Sequence, residues 1–356
     1  MCAADADAVK RRASIKDVAA RAGVSVGTVS NVLNNPERVA DDTRERVREA
    51  IVALGFVRSG AARQLRAGTS RAVGAVVLDM ANPFFTDVAR GVEDRLAESD
   101  RILILCSTDE SPQREQRYLQ LLEEQGVLGI LITPASPDMA SIEAVQDRGT
   151  AVVLLDRRSK DNEICSVAVD DVKGGDLAAR HLIDMGHQRI GLLNGPSSIR
   201  QCADRRRGVR RAMRAAGLVP DRDLIEVIIE ALNTDAGDAA VDGFVRDLRP
   251  PTAIICVNDL AALGVVRGLT RHEMRVPDDM SVIGYDDLDF TAMLATPLTS
   301  IRQPRHQIGY AAAELLLAAV ADGPTHRHRQ VLFQPELVVR DSSSRPARSG
   351  RRSSSR

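Results

Sequence analysis

From residue 73 onward the chain alternates short apolar runs with longer amphipathic stretches of helical period. The runs fall at 73–78, 101–105, 127–132, 151–155, 189–193, 224–229, 253–257 and 281–284. They are continuous Val/Ile/Leu segments rather than alternating ones. This is how parallel strands look when helices cover both faces of the sheet. There are too many runs for one tidy sheet. A break is expected near Val169-Asp170, because VGAVVLDMANPFF and RIGLLNGPSS read as equivalent openings of two halves. In such sheets ligands bind beyond the carboxyl ends of the strands, so the loops after each strand carry the candidate chemistry.

Residues 14–55 show a different pattern, three short helices. Ser14 can N-cap the first, with Asp17 closing a capping-box variant. Ile15, Val18, Ala19 and Ala22 then share a face. Gly23-Val24-Ser25 interrupts, and Ser25 can cap a second helix carrying Val29, Val32 and Leu33. Asn34-Asn35-Pro36 ends it. Asp42 and Glu45 form a second capping-box pair, and Val47, Ala50, Ile51 and Leu54 supply the inner face of a third helix before Gly55. Residues 1–13 and 341–356 are expected to be disordered. The tail SSSRPARSGRRSSSR has one Ala as its only apolar residue and cannot offset the entropy of ordering.

Charge sharpens this division. The net charge of the chain is -1. Residues 10–72 hold thirteen Lys/Arg against six Asp/Glu, a net of +7, and residues 340–356 carry +5. Residues 73–339 are left with -11. A basic module ahead of an acidic body points to a polyanion as the module's partner, although a merely solvated basic face gives the same count. The five cysteines (Cys2, Cys106, Cys165, Cys202, Cys256) form no CxxC pair, so neither a disulfide framework nor a structural zinc module is expected. His181 and His187 are spaced for packing or capping rather than for a metal, and His326 and His328, in a polar loop, are expected to be exposed. No apolar run approaches the roughly 18 residues of a membrane helix. MCAADADAVK lacks a secretory pattern, so a cytoplasmic protein is expected. G-x-S-x-G, Walker A and GxGxxG are all missing, and no nucleophile–base arrangement suggests an enzyme.

A short helix, a turn opening on Gly and a second short helix make a helix-turn-helix, whose second helix enters the major groove by its N-terminal end. Val26, Gly27, Ser30 and Asn31 face outward there. Val26 can touch a thymine methyl and Asn31 can pair bidentately with adenine, while Ser25 and Thr28 can bond phosphates. The run SIKDVAARAGVSVGTVSNVLNNPERVADDTRERVREAIVALGFV, with its AGVSxxTVSxVLN core, resembles the DNA-binding domain of the lactose/galactose repressor (LacI/GalR) family. That resemblance extends to about Asp341. It implies three variable base readers at Val26, Gly27 and Asn31. It also implies a hinge helix at 59–66 (SGAARQLR) that folds on DNA, with Ala61 and Ala62 allowing close approach and Leu65 wedging into the minor groove. Arg58 stands where the family often has Pro.

The body resembles the same family's ligand-binding core, shared with periplasmic sugar-binding proteins, through NPFF at 82–85, LLDRR at 154–158, VDDVKGG at 169–175, HLIDMGHQRIGLLNGP at 181–196, RRRG at 205–208, VNDLAALG at 257–264, VIGYDD at 282–287 and PLTSIRQP at 297–304. The chain has only six Phe and three Tyr, yet Phe84 and Phe85 are adjacent after the first strand. Asp156-Arg157, Asn258-Asp259 and Asp286 end other strands and offer acceptors and a donor fork. By resemblance to ribose-type members the effector contacts are Asn82, Phe84, Phe85, Asp156, Arg157, Arg205, Asn258, Asp286 and Gln303. One departure is the lack of an aromatic near 230–238, where many members stack a second ring. Each residue also has an ordinary use: Asn82-Pro83 as a helix entry, Asp156-Arg157 as an ion pair, Arg205 as one of three solvated arginines, Asp286-Asp287 as a turn.

The expected architecture is an all-α helix-turn-helix domain (14–58), a hinge helix and linker (59–71), and an α/β periplasmic-binding-protein-like core of two Rossmann-like subdomains (72–340). The first subdomain takes about 72–170 plus 303–331, the second about 171–302 plus 332–340. The expected function is a ligand-controlled transcriptional repressor acting as a homodimer on pseudo-palindromic operator DNA, with no cofactor or metal. The acids and the Phe pair favour a neutral sugar. A corepressor- or protein-dependent regulator of the purine or catabolite-control type is the alternative. A sugar-binding protein without DNA function is a third reading, opposed by residues 14–66.

Overall fold

The computed structural model describes residues 13–57, 70–159 and 163–346. The chain divides into two compact units, residues 1–70 and 71–356.

In the first unit, α1 (Ile15–Ala22), α2 (Val26–Asn34) and α3 (Asp41–Leu54) bury Val18, Ala19, Ala22, Val29, Val32, Val47 and Ala50 together. Ser14 caps α1 as a full capping box: its Oγ accepts from the Asp17 N–H at 3.3 Å, and its own N–H donates to Asp17 Oδ2 at 2.7 Å. Gly23 ends the helix at φ 65°, the left-handed backbone that glycine adopts without a Cβ clash. Ser25 restarts the chain as the cap of α2. The capping box expected at Asp42 and Glu45 does not form. The third helix begins earlier, on an Ala40 cap with no side-chain bond, so Asp42 already lies inside its first turn. There its charge favours the positive helix end without capping it.

The second unit contains two six-stranded sheets. The first is built from β1 (Ala72–Val77), β2 (Ile102–Ser107), β3 (Gly129–Ile132), β4 (Ala151–Leu155), β5 (Cys165–Val169) and β11 (Gln330–Phe333), in the order β11-β5-β4-β3-β1-β2. The second uses β6 (Ile190–Asn194), β7 (Leu224–Ile228), β8 (Ala253–Cys256), β9 (Ser281–Asp286), β10 (Thr299–Arg302) and β12 (Glu336–Val338), in the order β12-β10-β9-β8-β6-β7. Pairing is parallel except where β12 runs antiparallel to β10. β1 and β6 hold equivalent places, as the two matching openings imply, and β5 closes the first half at Val169. Both faces of each sheet are covered. On β3, Ile130 and Ile132 pack under α5 (Pro112–Glu124) and α6 (Ala140–Asp147). Leu131 points the other way, into the core with α4 (Pro83–Ala97) and α12 (Arg305–Asp322). Adjacent strand residues buried on opposite faces are why the runs read as continuous. Each such aliphatic side chain contributes about 1.5–3 kcal/mol.

In the second half, α7 (Asp171–Asp184) and α8 (Arg200–Ala215) cover one face of the sheet. After the short α9 (Pro220–Asp223), α10 (Thr234–Val245) and α11 (Asp259–Arg271) cover the other. Among the described residues the chain passes between halves at three places, after β5, after β10 and between β11 and β12.

The basic tail begins later than composition implies. Ser342 is fully buried and Ser343 nearly so. Ser342 Oγ donates to the Val282 carbonyl at 2.6 Å and accepts from the Thr299 N–H at 2.8 Å. His181 Nε2 meets Ser343 Oγ at 2.9 Å, and His187 Nε2 meets the Ser344 carbonyl at 2.8 Å. Hydrogen bonds rather than apolar burial hold residues 342–344, which counting apolar residues cannot see. His181 and His187 thus pack against this segment.

Helices α7 and α8 cross closely enough that a Cβ on Gly175 would lie 2.1 Å from the Arg205 carbonyl oxygen. Backbone cannot yield cheaply at that distance. Gly175→Ala is expected to lower the thermal midpoint of the core, at a cost of about 1–3 kcal/mol. A melting curve identical to that of the unsubstituted chain would show that this crossing is not tight.

Candidate functional site

The loops at the carboxyl ends of both sheets meet around one small cavity of about 40 Å³, lined by residues of both halves. A single water needs roughly 10–15 Å³, so this is a compact enclosure. Seven of the nine residues expected at an effector site line it: Asn82, Phe84, Phe85, Asp156, Arg205, Asn258 and Asp286. Asn82 caps α4, its Oδ1 accepting from the Phe84 N–H at 2.9 Å. The Phe84 and Phe85 rings meet edge-on with centroids 5.0 Å apart. Asn258 caps α11 and also donates to the Leu232 carbonyl at 2.8 Å. Both asparagines therefore serve as helix caps and as cavity wall.

Arg205 is the electrostatic centre. Its Nε donates to Asp171 Oδ1 at 2.8 Å and its Nη1 to the Val257 carbonyl at 2.6 Å. The guanidinium lies 3.6 Å from the Tyr285 ring centroid, and the Tyr285 hydroxyl donates to the same Asp171 oxygen at 2.9 Å. Burial opposes the charge, but Asp171, Tyr285, Asp286 and Asp156 hold its pKa well above the ordinary arginine value.

Two further carboxyl groups have no cation of their own. Asp156 sits at φ 52°, a left-handed turn that aims its side chain into the cavity. Its Oδ2 accepts from Gln201 Nε2 at 2.8 Å, while its buried Oδ1 meets no protein partner. Burial, reinforced by Asp171, pushes it up to about 8. Asp286, at φ 111°, accepts from Gln303 Nε2 at 2.7 Å. Burial lifts it to about 6, against the opposing pull of Arg205, Gln303 and Asn82. The next residue, Asp287, turns away to pair with Arg302 and Arg340.

Two expected residues lie elsewhere. Arg157 points out of the cavity and donates to the Ser136 and Pro137 carbonyls at 2.6 and 3.2 Å. The turn that sends Asp156 inward sends its neighbour outward. Gln303 stands behind Asp286 and orients it. Other residues join the site. Gln201 bridges the halves, donating to both the carbonyl and the carboxylate of Asp156. It lies one helical turn before Arg205, so the i,i+4 spacing in QCADR was a usable signal. Glu110, in the loop after β2, is pushed to about 7 by burial, with Asp79 and Asp109 adding to the effect. Leu232 fills the wall at 230–238 where the resemblance led one to look for an aromatic ring.

On the DNA-reading helix, Val26, Gly27 and Asn31 are exposed and Ser30 is half-buried. Asn34 Nδ2 donates to the Ser30 carbonyl at 2.7 Å and to its Oγ at 3.2 Å, so Ser30 is partly engaged within the helix. Ser25 Oγ and Thr28 Oγ1 lie 2.9 Å apart at the helix start. Ala62 and Leu65 fall outside the described residues. No described helix is long and apolar enough to cross a membrane.

Comparison with known proteins agrees with both units. Residues 14–59 match the model of bacterial regulatory proteins of the lacI family. Residues 70–338 match that of periplasmic binding proteins and the sugar-binding domain of the LacI family. The HTH-type transcriptional repressor PurR of Photobacterium profundum is 34% identical over 331 residues, covering 93% of this chain and 98% of the relative. A LacI family regulator from Enterococcus faecium, solved with bound ribose, superposes with TM-score 0.70 at 28% identity over 77% of this chain and 99% of its own. The lac repressor dimer bound to operator and the anti-inducer ONPF superposes with TM-score 0.79 at 25% identity, covering 94% of this chain and 100% of its own. The chain belongs to the LacI family of DNA-binding transcriptional repressors.

Proposed function

We propose that this repressor binds operator DNA as a homodimer and is controlled by a small, uncharged, hydroxyl-rich ligand of the pentose class held in the cavity between the core halves. The observation that carries this reading is the Asp156 carboxyl group. It is buried, faces the cavity, and has one oxygen with no protein partner. Held protonated by burial, that group offers a ligand an O–H donor as well as acceptor lone pairs, so the site calls for a partner that can both accept and donate. The cavity's one arginine is already paired with Asp171, so an anionic ligand would meet carboxyl groups without compensation. Sugar hydroxyls donate without bringing charge, and Phe84 and Phe85 offer an apolar wall.

A purine is the second reading. The PurR relatives favour it, and purine N–H groups also donate. The proposed contacts are Asn82, Phe84, Phe85, Asp156, Gln201, Arg205, Asn258 and Asp286, with Gln303 as a support. A ligand touching both halves favours their closed arrangement, and three short crossings allow the halves to hinge. Segment 59–66, with Ala62 and Leu65 at the minor groove, transmits that choice to DNA. Linkage makes the effect reciprocal, typically about 1–3 kcal/mol. On the DNA side Ser25, Thr28 and Ser30 set register, while Val26, Gly27 and Asn31 face the bases. Cytoplasmic location and the lack of enzymatic activity follow from this role.

A thermal-shift screen of pentoses, hexoses, nucleosides and purine bases tests the ligand. A ligand at about 100 times its Kd adds roughly 2.7 kcal/mol. Arg157→Ala is expected to keep that shift, and Arg205→Lys to reduce it. The reverse pattern would move the site to a second cleft, beside the cavity, lined by Arg157, Asp170, Ser197 and Arg200. A shift with purine bases alone would establish the second reading.

Asp156→Asn has two opposite expected effects. Burial lifts the Asp156 carboxyl from an ordinary 3.8 to about 8. The folded chain therefore keeps a proton that the unfolded chain releases. Its stabilising contribution is complete below about pH 4 and is lost as pH rises through 8. The amide removes this loss, so the variant's midpoint gains on wild type between pH 5 and pH 8. Ligand affinity falls about ten- to a hundredfold, because the amide does not reproduce the hydroxyl donor and lone pairs that the carboxyl group turns to the ligand. A pH-independent difference in midpoints would refute the buried, protonated carboxyl.

Asn31→Arg is expected to change one symmetric operator base from adenine toward guanine, worth about 1–3 kcal/mol of discrimination. Selection from a randomised operator library reads this directly. An unchanged optimum would remove Asn31 from the base readers.

A further inference from the structure

At the amino end of β5, away from the ligand cavity, three potential metal ligands converge. Cys165 Sγ lies 3.1 Å from His326 Nε2 and 3.7 Å from His328 Nδ1, and the three ligand atoms all fall within 4.8 Å of one another. Zinc–sulfur bonds of about 2.3 Å and zinc–nitrogen bonds of about 2.0–2.1 Å at a tetrahedral angle place S and N about 3.6 Å apart. The observed separations bracket that value. We propose that Cys165, His326 and His328 form a site for a borderline-soft divalent cation of the zinc type.

Three surrounding features fit this assignment. Asp322, the last residue of α12, has Oδ2 3.0 Å from His326 Nδ1. With Nδ1–H donating to that carboxylate, Nε2 presents its lone pair to the site, the usual outer support of a metal-bound imidazole. The Arg329 N–H donates to Cys165 Sγ at 3.3 Å, and the Ser166 N–H donates to the Arg329 carbonyl at 3.0 Å. The loop bearing both histidines is thus anchored to the strand bearing the cysteine. Of the two loop histidines expected to be exposed, only His328 is; the His326 side chain is tucked in beside Cys165 and Asp322, so a cation has a route in past His328 and a fourth position open to water. A thiolate with two imidazoles selects against magnesium and calcium, which prefer oxygen ligands. When bound, the cation clips the 326–329 segment to the first sheet where β11 joins β5.

The test uses untagged, chelator-stripped, full-length protein titrated with Co²⁺ and then Zn²⁺. The expected result is one equivalent of Co²⁺ per chain with a near-ultraviolet thiolate-to-cobalt absorption, displaced by Zn²⁺, and a higher thermal midpoint with Zn²⁺. Cys165→Ser abolishes the absorption. Because Cys165 is buried and its variant can fail to fold, His328→Ala is the second arm, expected to weaken Zn²⁺ binding at least tenfold without lowering the metal-free midpoint. Absence of the thiolate absorption in the unsubstituted protein would overturn the proposal. So would an absorption and affinity that persist unchanged in His328→Ala, which would place the metal on another cysteine.

Discussion

Taking a guanidinium out of water costs several kcal/mol unless charge and geometry compensate it. Arg205 meets that demand with an ion pair to Asp171, a carbonyl at Val257 and the face of Tyr285. These partners come from α7, the end of β8 and β9, so satisfying one charge ties three elements of the second half to α8. The close crossing of α7 and α8 at Gly175 is what brings Asp171 within reach. Removing one partner would leave a buried charge exposed to the others, so the cluster holds together as a unit. Its charge balance also sets the cavity's chemistry: Asp171 uses the arginine, and Asp156 and Asp286 are left with amide donors.

The doubly wound core was legible because parallel strands buried on both faces must be apolar throughout. Runs such as 73–78 and 253–257 could hardly be anything else. The strands that escaped notice are of another kind. β11 and β12 are short strands at the outer ends of their sheets, and β10 (TSIR) carries hydroxyl residues that bond rather than pack. β5 (CSVAV) is fully buried but too small in side-chain volume to stand out. The equivalence of β1 and β6 was visible because a repeated topology repeats its opening strand and its ligand loop. The false capping box at Asp42 shows the opposite case. Acidic residues near a helix start satisfy a pattern whether they cap or merely oppose the helix dipole, and only the backbone decides.

Site residues were legible to the extent that strand ends mark them. Asp156 and Asp286 could be singled out for that reason, and their positive φ values explain how they turn inward to line the cavity. Arg157 lies outside the cavity because adjacent residues at a strand end diverge, and the cavity takes in one of them. Gln201 was missed because a glutamine amid arginines draws no attention. Its importance depends on its position one turn from Arg205, facing Asp156 across the gap. Glu110 lies in the loop three residues past the end of β2, so the rule that loops after strands carry the chemistry, applied evenly, would have included it. The histidines illustrate a further limit. His181 and His187 are tied to a serine segment more than 150 residues away, and His326 faces Cys165 across 161 residues. Spacing along the chain carries no trace of such pairings.

The first and second halves meet at the cavity through apolar groups, such as Phe84 and Phe85 of one and Ile199 and Cys202 of the other, and through polar bridges, and the division bears on control. Gln201 reaches from α8 to Asp156 at the end of β4, which joins the halves without any ligand. The apolar part of that contact favours closure by area whether or not a ligand is present. Each polar bridge across the cavity competes with water, so its net worth is only about 0.5–1.5 kcal/mol. A ligand that supplies the partner missing at Asp156 Oδ1 adds a bond to a buried group, where the unsatisfied state is costly. The difference between closed with ligand and closed without it is therefore concentrated at one carboxyl group. That is the condition a ligand must meet to shift a conformational equilibrium, since equal affinity for both arrangements shifts nothing.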